Sequence, residues 1–256
     1  MVPETLASLQ AAAQHATFVA TLTASSTLAF EAAMRGYAGS SIDKFLRWAT
    51  GEDEPRKQPS PARDWVDVTL AHTNHSLREA NELVRRQYMS RGYRVEGKEA
   101  IDDLPRPNRP RHVILARRSG QVVGTITLGL DSPAGLLVEE SNQRPIEAAR
   151  AEGKRIGEVV RLAVDDASSS RSKAVLASLF NAAHGLMVLH KLDDTYIEVN
   201  PRHVPFYRRA LCFKVAGEPS VCPRVGAPSV LLRLPVNELS QKISQLEGAL
   251  ASFPTS

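Results

Sequence analysis

The chain has 256 residues, 43% of them hydrophobic and 23% charged, with a formal net charge of +4, a composition that fits an ordinary globular protein and sets aside collagen-like, disordered and disulfide-framework classes. The only cysteines, Cys212 and Cys222, are too few for a disulfide framework and are not at a metal-ligand spacing, so a reducing, cytoplasmic location is the expectation. No run is long and apolar enough to span a bilayer, and no Lys or Arg precedes the Thr/Ser-rich stretch from Phe18 to Phe30, as it would in a secretory signal.

Residues 1–50 read as a helical extension. "ETLASLQAAAQ" is built from strong helix formers, and "SSIDKFLRWAT" offers a serine cap ahead of Ile42, Phe45, Leu46 and Ala49. Residues 51–63, "GEDEPRKQPSPAR", hold three prolines and dense charge and read as a linker. The main domain is expected over 64–256.

"WVDVTLA" alternates apolar and polar residues and predicts a strand. "SLREANELVRRQYMSRGY" predicts a helix with Leu77, Ala80, Leu83, Val84 and Tyr88 on one face. "RHVILARRSGQVVGTITLGLD" predicts a hairpin turning at Ser119–Gly120. A long segment from Ser132 to Arg155 follows, with a short helix around Pro145 to Glu152. "IGEVVRLAVD" is a further strand, and "SKAVLASLFNAAHGLMVLHKL" is the strongest helical pattern in the chain. "DTYIEVN" predicts a strand, and "PFYRRAL" a short helix with proline in its first turn. "FKVAG" and "PSVLLRLP" predict the last two strands, before a closing helix in "NELSQKISQLEGALAS" capped by Asn237. The order β α β β (α) β α β α β β places the domain in the α/β or α+β class, with one mostly antiparallel sheet.

Basic residues gather in Arg85–Arg94, in Arg106–Arg118 and at Arg208 and Arg209. They are either solvated surface or a face for an acidic partner. No nucleic-acid-binding motif accompanies them.

The element order and the corner "VNPRHVPFYRRALCF" resemble the GNAT superfamily of N-acyltransferases. Asn200 and Tyr207 have the seven-residue spacing of that superfamily's Asn after the fifth strand and Tyr on a short helix. Phe213 comes one residue late, and Cys212 stands where Gly would end the helix in a left-handed conformation. A narrower resemblance covers most of residues 65–235. The blocks "LVRRQYMSRGYR", "GTITLGLDSPAGLLVEE", "GEVVRLAVDD" and "VNPRHVPFYRRALCF" look like the N-acyl amino acid synthase family, related to the acyl-homoserine-lactone synthases with their shared Glu-x-x-Arg, here Glu158 and Arg161.

The resemblance implies a GNAT-like fold and an enzyme that moves a long-chain fatty acyl group from acyl carrier protein to an amino acid's amine. No bound cofactor or metal is implied; the acyl-phosphopantetheine of the carrier protein, or acyl-CoA, is the donor. An acyl-homoserine-lactone synthase and a non-catalytic binding module for acyl carrier protein are the alternatives. A dimer through the N-terminal helices is a further expectation.

Aminolysis of a thioester needs a proton acceptor for the ammonium, donors for the oxyanion and a proton for the leaving thiolate. Strict alternation puts Glu158 on the face of Val160, Leu162 and Val164, where desolvation raises a carboxyl pKa toward that of a general base, and puts Arg161 on the other face. Each is catalytic or part of a structural ion pair. Tyr207 is either the proton donor to the thiolate or a core aromatic. His203 acts as base, binds a carboxylate, or only hydrogen-bonds backbone. Asn200 and Arg202 complete the corner. Arg85, Arg86, Arg91 and the 106–118 cluster are placed to dock an acyl carrier protein, or form a solvated face. Tyr88 and Tyr93 sit where the family shapes its substrate pocket, or simply pack. Where the GNAT superfamily has a glycine-containing pyrophosphate loop, this chain has "DDASSSRSKAVL", with no glycine. Ser170, Arg171, Ser172 and Lys173 at that helix start suit one phosphate, which favours a phosphopantetheine arm over coenzyme A.

Overall fold

The computed structural model describes residues 66–93, 108–165 and 169–241. The expected helical extension, the linker and most of the closing helix lie outside the described residues.

Strand β1 (Asp67–Leu70) leads to helix α1 (Asn74–Ser90). Thr73 caps that helix: its hydroxyl accepts from the Ser76 N–H at 3.1 Å, and the Thr73 N–H donates back to Ser76 Oγ at 3.1 Å. The reciprocal pair satisfies backbone donors that a helix start leaves open. Strands β2 (Arg111–Arg118) and β3 (Gln121–Leu130) form the expected hairpin. Its turn residues Ser119 and Gly120 have φ of 50° and 79°, the double left-handed conformation that matches strand twist.

Helix α2 (Glu139–Ala151) is bent at Asn142, whose φ/ψ of −140°/50° is not helical. Pro145 lies three residues on and has no N–H to return to the Ser141 carbonyl, next to the bend. Strand β4 (Ile156–Val164), helix α3 (Ser169–Leu189) and strand β5 (Asp194–Val199) follow. A single 3₁₀ turn (Pro201–His203) then runs into helix α4 (Val204–Ala210). Strands β6 (Lys214–Val215), β7 (Ser220–Cys222) and β8 (Ala227–Pro235) complete the sheet.

The strand order is β1-β2-β3-β4-β5-β8-β6, with β7 also on β8, and every pairing is antiparallel except β4 with β5. The mixed, mostly antiparallel sheet expected from the element order is present. Among the described residues it has eight strands rather than seven. The expected strand "FKVAG" is reduced to two residues, and the chain pairs with β8 again at Ser220–Cys222. The last helix begins at residue 236, so Asn237 lies inside its first turn and does not cap it.

Registers and packing sort the helices onto two faces. Val113 and Leu115 pack on Leu77 and Ala80 of α1, and Ile156, Tyr196 and Leu231 pack with Ile146 and Ala149 of α2. The register carries Val113, Glu158 and Tyr196 along one face, so α1 and α2 share it. On the other face α3 presses so closely on β3 that a Cβ at Gly124 would stand 2.5 Å from Val175 Cγ1. Leu179, Leu186 and Met187 of α3 are fully buried, and each leucine of that kind contributes about 1.5–3 kcal/mol.

Candidate active site

The parallel ladder of β4 and β5 covers only Ile156–Glu158 against Asp194–Tyr196. Beyond it the strands part. The β3–β4 register gives the cause: Thr127 pairs with Val160 but Thr125 with Ala163, so β4 carries one extra residue. Arg161 sits in that bulge with φ 55°, a left-handed conformation rare for a non-glycine residue and frequent at functional sites.

The bulge corrects the strict alternation read from sequence. Glu158 and Val160 share a face, but past the extra residue it is Ala163, packed on Leu83 and Val84 of α1, that returns to it. Leu162 and Val164 do not share Glu158's face.

Between the parted strands lies a cleft of about 410 Å³, within the range of small-molecule sites. Val159, Leu162, Leu176 and Ile197 make it largely apolar, while Arg161, Tyr88 and Tyr207 bring polar groups into it. Asn200, His203, Tyr93 and Arg91 also line it. Of the site residues singled out from the sequence, Arg161, Tyr207, His203, Asn200, Tyr88 and Tyr93 converge here.

Tyr207 projects from α4 into a cage of rings, T-shaped against Phe180, Phe206 and Phe213 at centroid distances of 6.0, 5.4 and 5.6 Å. Burial, with a smaller contribution from Tyr88, pushes its phenol well above the usual range. It therefore stays protonated, as a proton donor must. Burial also lifts Tyr88 to about 12, against the pull of the Arg161 and Arg224 charges. Tyr88 stacks edge-on against Tyr93 at 5.7 Å.

The corner after β5 is built by Asn200, whose Oδ1 accepts from the Arg202 N–H at 3.2 Å and starts the 3₁₀ turn. Arg202 Nε donates to His203 Nε2 at 3.1 Å. Burial, then the charges of Arg202 and Arg91, lower the His203 pKa, so the imidazole is neutral near pH 7. Arg202 is exposed and does not line the cleft.

Helix α4 ends at Leu211, and Cys212 takes the left-handed conformation, φ 60°, usually left to glycine. The Leu211 and Phe213 N–H groups both donate to the Tyr207 carbonyl, at 3.1 and 3.2 Å. The cysteine thus fills the glycine role directly.

Glu158 is placed differently. It is 5% exposed and does not line the cleft. Its Oε2 accepts from the Val138 N–H at 3.0 Å. Burial raises its pKa, opposed first by the N–H groups of Leu137 and Val138 and then by the charges of Arg224 and Arg109. Arg86 is also outside the cleft, on the surface 3.7 Å from Asp165 Oδ2. The side chains of Ser170, Arg171, Ser172 and Lys173 lie outside the described residues, although the α3 backbone starts at Ser169.

Several cleft residues are absent from the sequence expectation. Glu198, on the sheet face of Tyr196, forms an ion pair with Arg224 at 2.7 Å. It accepts from Asn142 Nδ2 at 3.0 Å and Ser229 Oγ at 3.3 Å. The signal for Glu198 is a carboxylate between Ile197 and Val199, inside the strand "DTYIEV". Arg224 lies in the β7–β8 turn, with no periodicity to announce it.

Among known families, N-acyl amino acid synthase FeeM matches residues 79–235. The solved structure of FeeM, an N-acyl amino acid synthase from uncultured soil microbes, is 25% identical, covering 69% of this chain and 94% of that one, with a TM-score of 0.62. The acyl-homoserine-lactone synthase LasI is 17% identical over 71% of this chain and 95% of its own, with a TM-score of 0.50, a likeness of fold alone. No curated protein sequence matches the chain. The domain has the GNAT-like fold that the sequence led one to expect.

Proposed function

Because this chain belongs to the N-acyl amino acid synthase FeeM family and is an acyltransferase, we propose that it transfers a long-chain acyl group from acyl carrier protein to the α-amine of a free amino acid. The observation that carries this reading is the cleft between the parted β4 and β5. An extended thioester can add along the unpaired strand edges there, as a third strand would, with its chain against the apolar wall.

In this reading the amine nitrogen attacks the thioester carbonyl, the C–N bond forms, and the C–S bond breaks. Tyr207 gives its proton to the departing thiolate and is reprotonated by the second proton that the nitrogen sheds as it becomes an amide. Arg161 holds the amino acid's carboxylate from the bulge. Glu158, in the last ladder pair before the cleft, takes the ammonium proton through an intervening water. Asn200 and Arg202 shape the corner that positions His203 at the rim, while Tyr88 and Tyr93 border the amino acid. In this reading Arg86 and the neighbouring arginines meet the acidic carrier, and Ser170, Arg171, Ser172 and Lys173 take its single phosphate.

Among the described residues no helix is long and apolar enough to cross a membrane; the proposed setting is the cytoplasm, where acyl carrier protein is found.

The test is mass spectrometry of lipid extracts from cells expressing the chain. An N-acyl amino acid absent from the empty-vector control supports the reading. Acyl-homoserine lactones in its place would overturn it.

A further inference from the structure

We infer that Glu198 is the residue that receives the substrate's ammonium group and so restricts the acceptor to a protonated primary amine; the inference rests on the amino-acid reading of the cleft. The geometry around Glu198 is that of a carboxylate held ready for one more cation. Its side chain is 5% exposed, and a buried carboxylate is tolerated only when paired and hydrogen-bonded.

Its partners come from three separate elements. Arg224 Nη2 donates to Oε2 at 2.7 Å from the β7–β8 turn. Asn142 Nδ2 donates to Oε1 at 3.0 Å from the bend of α2, and Ser229 Oγ to the same oxygen at 3.3 Å from β8. These are three donors among the described residues, against roughly four acceptor positions on a carboxylate.

Charge bookkeeping gives the sign of the missing partner. The Arg224 guanidinium is shared: its Nη1 also donates to the Leu137 carbonyl at 2.5 Å and to Glu140 at 3.0 Å. One cation thus serves two carboxylates by direct contact. Glu158 is nearby on the same face, already engaged by backbone N–H groups and approached by Arg109. Among the described residues Glu198 thus shares its one directly paired cation with Glu140, while Arg91 and Arg161 stand along the rest of the cleft.

The bend of α2 at Asn142 carries the side-chain amide to this contact. A Cβ on Gly217 would stand 2.8 Å from Asn142 Oδ1, so the chain keeps that space open for the amide that holds Glu198. Glu198 lies two residues past the last β4–β5 ladder pair, where the strand edge opens into the cleft, and it lines that cleft. Arg161 and Arg91 line it as well. A zwitterion places its ammonium at Glu198 and its carboxylate at the arginines, and an amine without a carboxylate, or an acid without an amine, satisfies only half of that arrangement.

The experiment compares wild type with Glu198→Gln, which keeps shape and most hydrogen bonds but removes the charge. The acceptor is the amino acid found acylated in a mixture of all twenty; the competitor is the same molecule with hydrogen in place of its amine. In the wild type the KM for the amino acid should lie at least tenfold below the inhibition constant of the competitor. In Glu198→Gln that KM should rise at least tenfold, the KM for the acyl donor should move less than twofold, and the preference over the competitor should disappear. An unchanged amino-acid KM in Glu198→Gln overturns the inference, and so does a wild type that binds the competitor as tightly as the amino acid. The wild-type comparison needs no variant and can overturn the inference even if Glu198→Gln does not fold. A wild type that acylates none of the twenty amino acids overturns the functional reading itself, which is a separate result from an unchanged KM.

Discussion

Gly129 and Glu158 are paired across β3 and β4, and a Cβ on residue 129 would stand 2.9 Å from Glu158 Cγ and 3.1 Å from its Oε1. The missing side chain makes room for the buried carboxylate and lets it reach the Val138 N–H. Gly129→Ala should therefore push Glu158 off that contact, destabilising the fold by about 1–3 kcal/mol and lowering acyl transfer with it. Gly185, in α3, has nothing within 4 Å of where its Cβ would be. Gly185→Ala should stabilise by about 0.5–1 kcal/mol. Thermal melts of the two variants with turnover measured in parallel check both; a stable, active Gly129→Ala would show that the close approach is unimportant.

Arg161 does two jobs that one substitution separates. Its φ of 55° suits glycine, so Arg161→Gly keeps the bulge while removing the guanidinium. The melting temperature should change little, and the KM for the amino acid should rise roughly 10–100-fold, the equivalent of about 1.5–3 kcal/mol for a hydrogen bond to a charged group. Steady-state kinetics at saturating acyl donor would reveal it.

Tyr207→Phe retains the ring packing with Phe180, Phe206 and Phe213 and loses only the hydroxyl. A role as proton donor predicts a fall in kcat of about 100-fold or more with a melting temperature close to wild type. Equal kcat values would reduce the residue to packing.

Cys212 occupies a left-handed conformation, φ 60°, which is unfavourable by about 1–2 kcal/mol for a residue with a Cβ. Cys212→Gly should remove that strain, offset partly by the greater freedom of glycine in the unfolded chain. A net gain of roughly 0.5–1 kcal/mol is expected, seen as a rise in denaturation midpoint without loss of activity.

Acid stability should be governed in part by two histidines. Burial pushes His112 and His184 down to about 4 each, His112 with added repulsion from His190 and His72. His112 Nε2 lies 2.7 Å from His190 Nε2, so one ring donates and the other accepts. Ser240 gives its hydroxyl proton to the Val236 carbonyl at 3.0 Å, so His184 Nε2 donates to Ser240 Oγ at 2.9 Å. Both folded pKa values lie below the unfolded value near 6.5, so the stability these rings contribute is present above about pH 6.5. It is lost as pH falls toward 4. Urea midpoints measured across that range should decline, and His112→Asn should flatten the decline.

The hairpin at Ser119–Gly120 was legible because its turn demands φ above zero at both central residues and glycine supplies one of them. Helix α1 was legible from the spacing of Leu77, Ala80, Leu83 and Val84. The strand Ser220–Cys222 was not, because three residues around a turn carry no period of their own. Arg161, Tyr207, Asn200 and His203 were marked from the sequence through a spacing and a family likeness, and the cleft brings all four together. Glu198 had a visible signal in its apolar strand, whereas Arg224 and Asn142 had none, since their meaning comes only from meeting Glu198.

What the sequence by itself determined is the order and type of the elements other than β7, and the family, because hydrophobic period, turn residues and motif spacing are local properties of the chain. What the tertiary structure alone decided is where β4 and β5 part, which face each side chain takes after the bulge at Arg161, and which charges share Arg224. Those depend on registers between strands distant in the chain, and a single extra residue in a ladder, invisible to any local pattern, reverses every side chain beyond it.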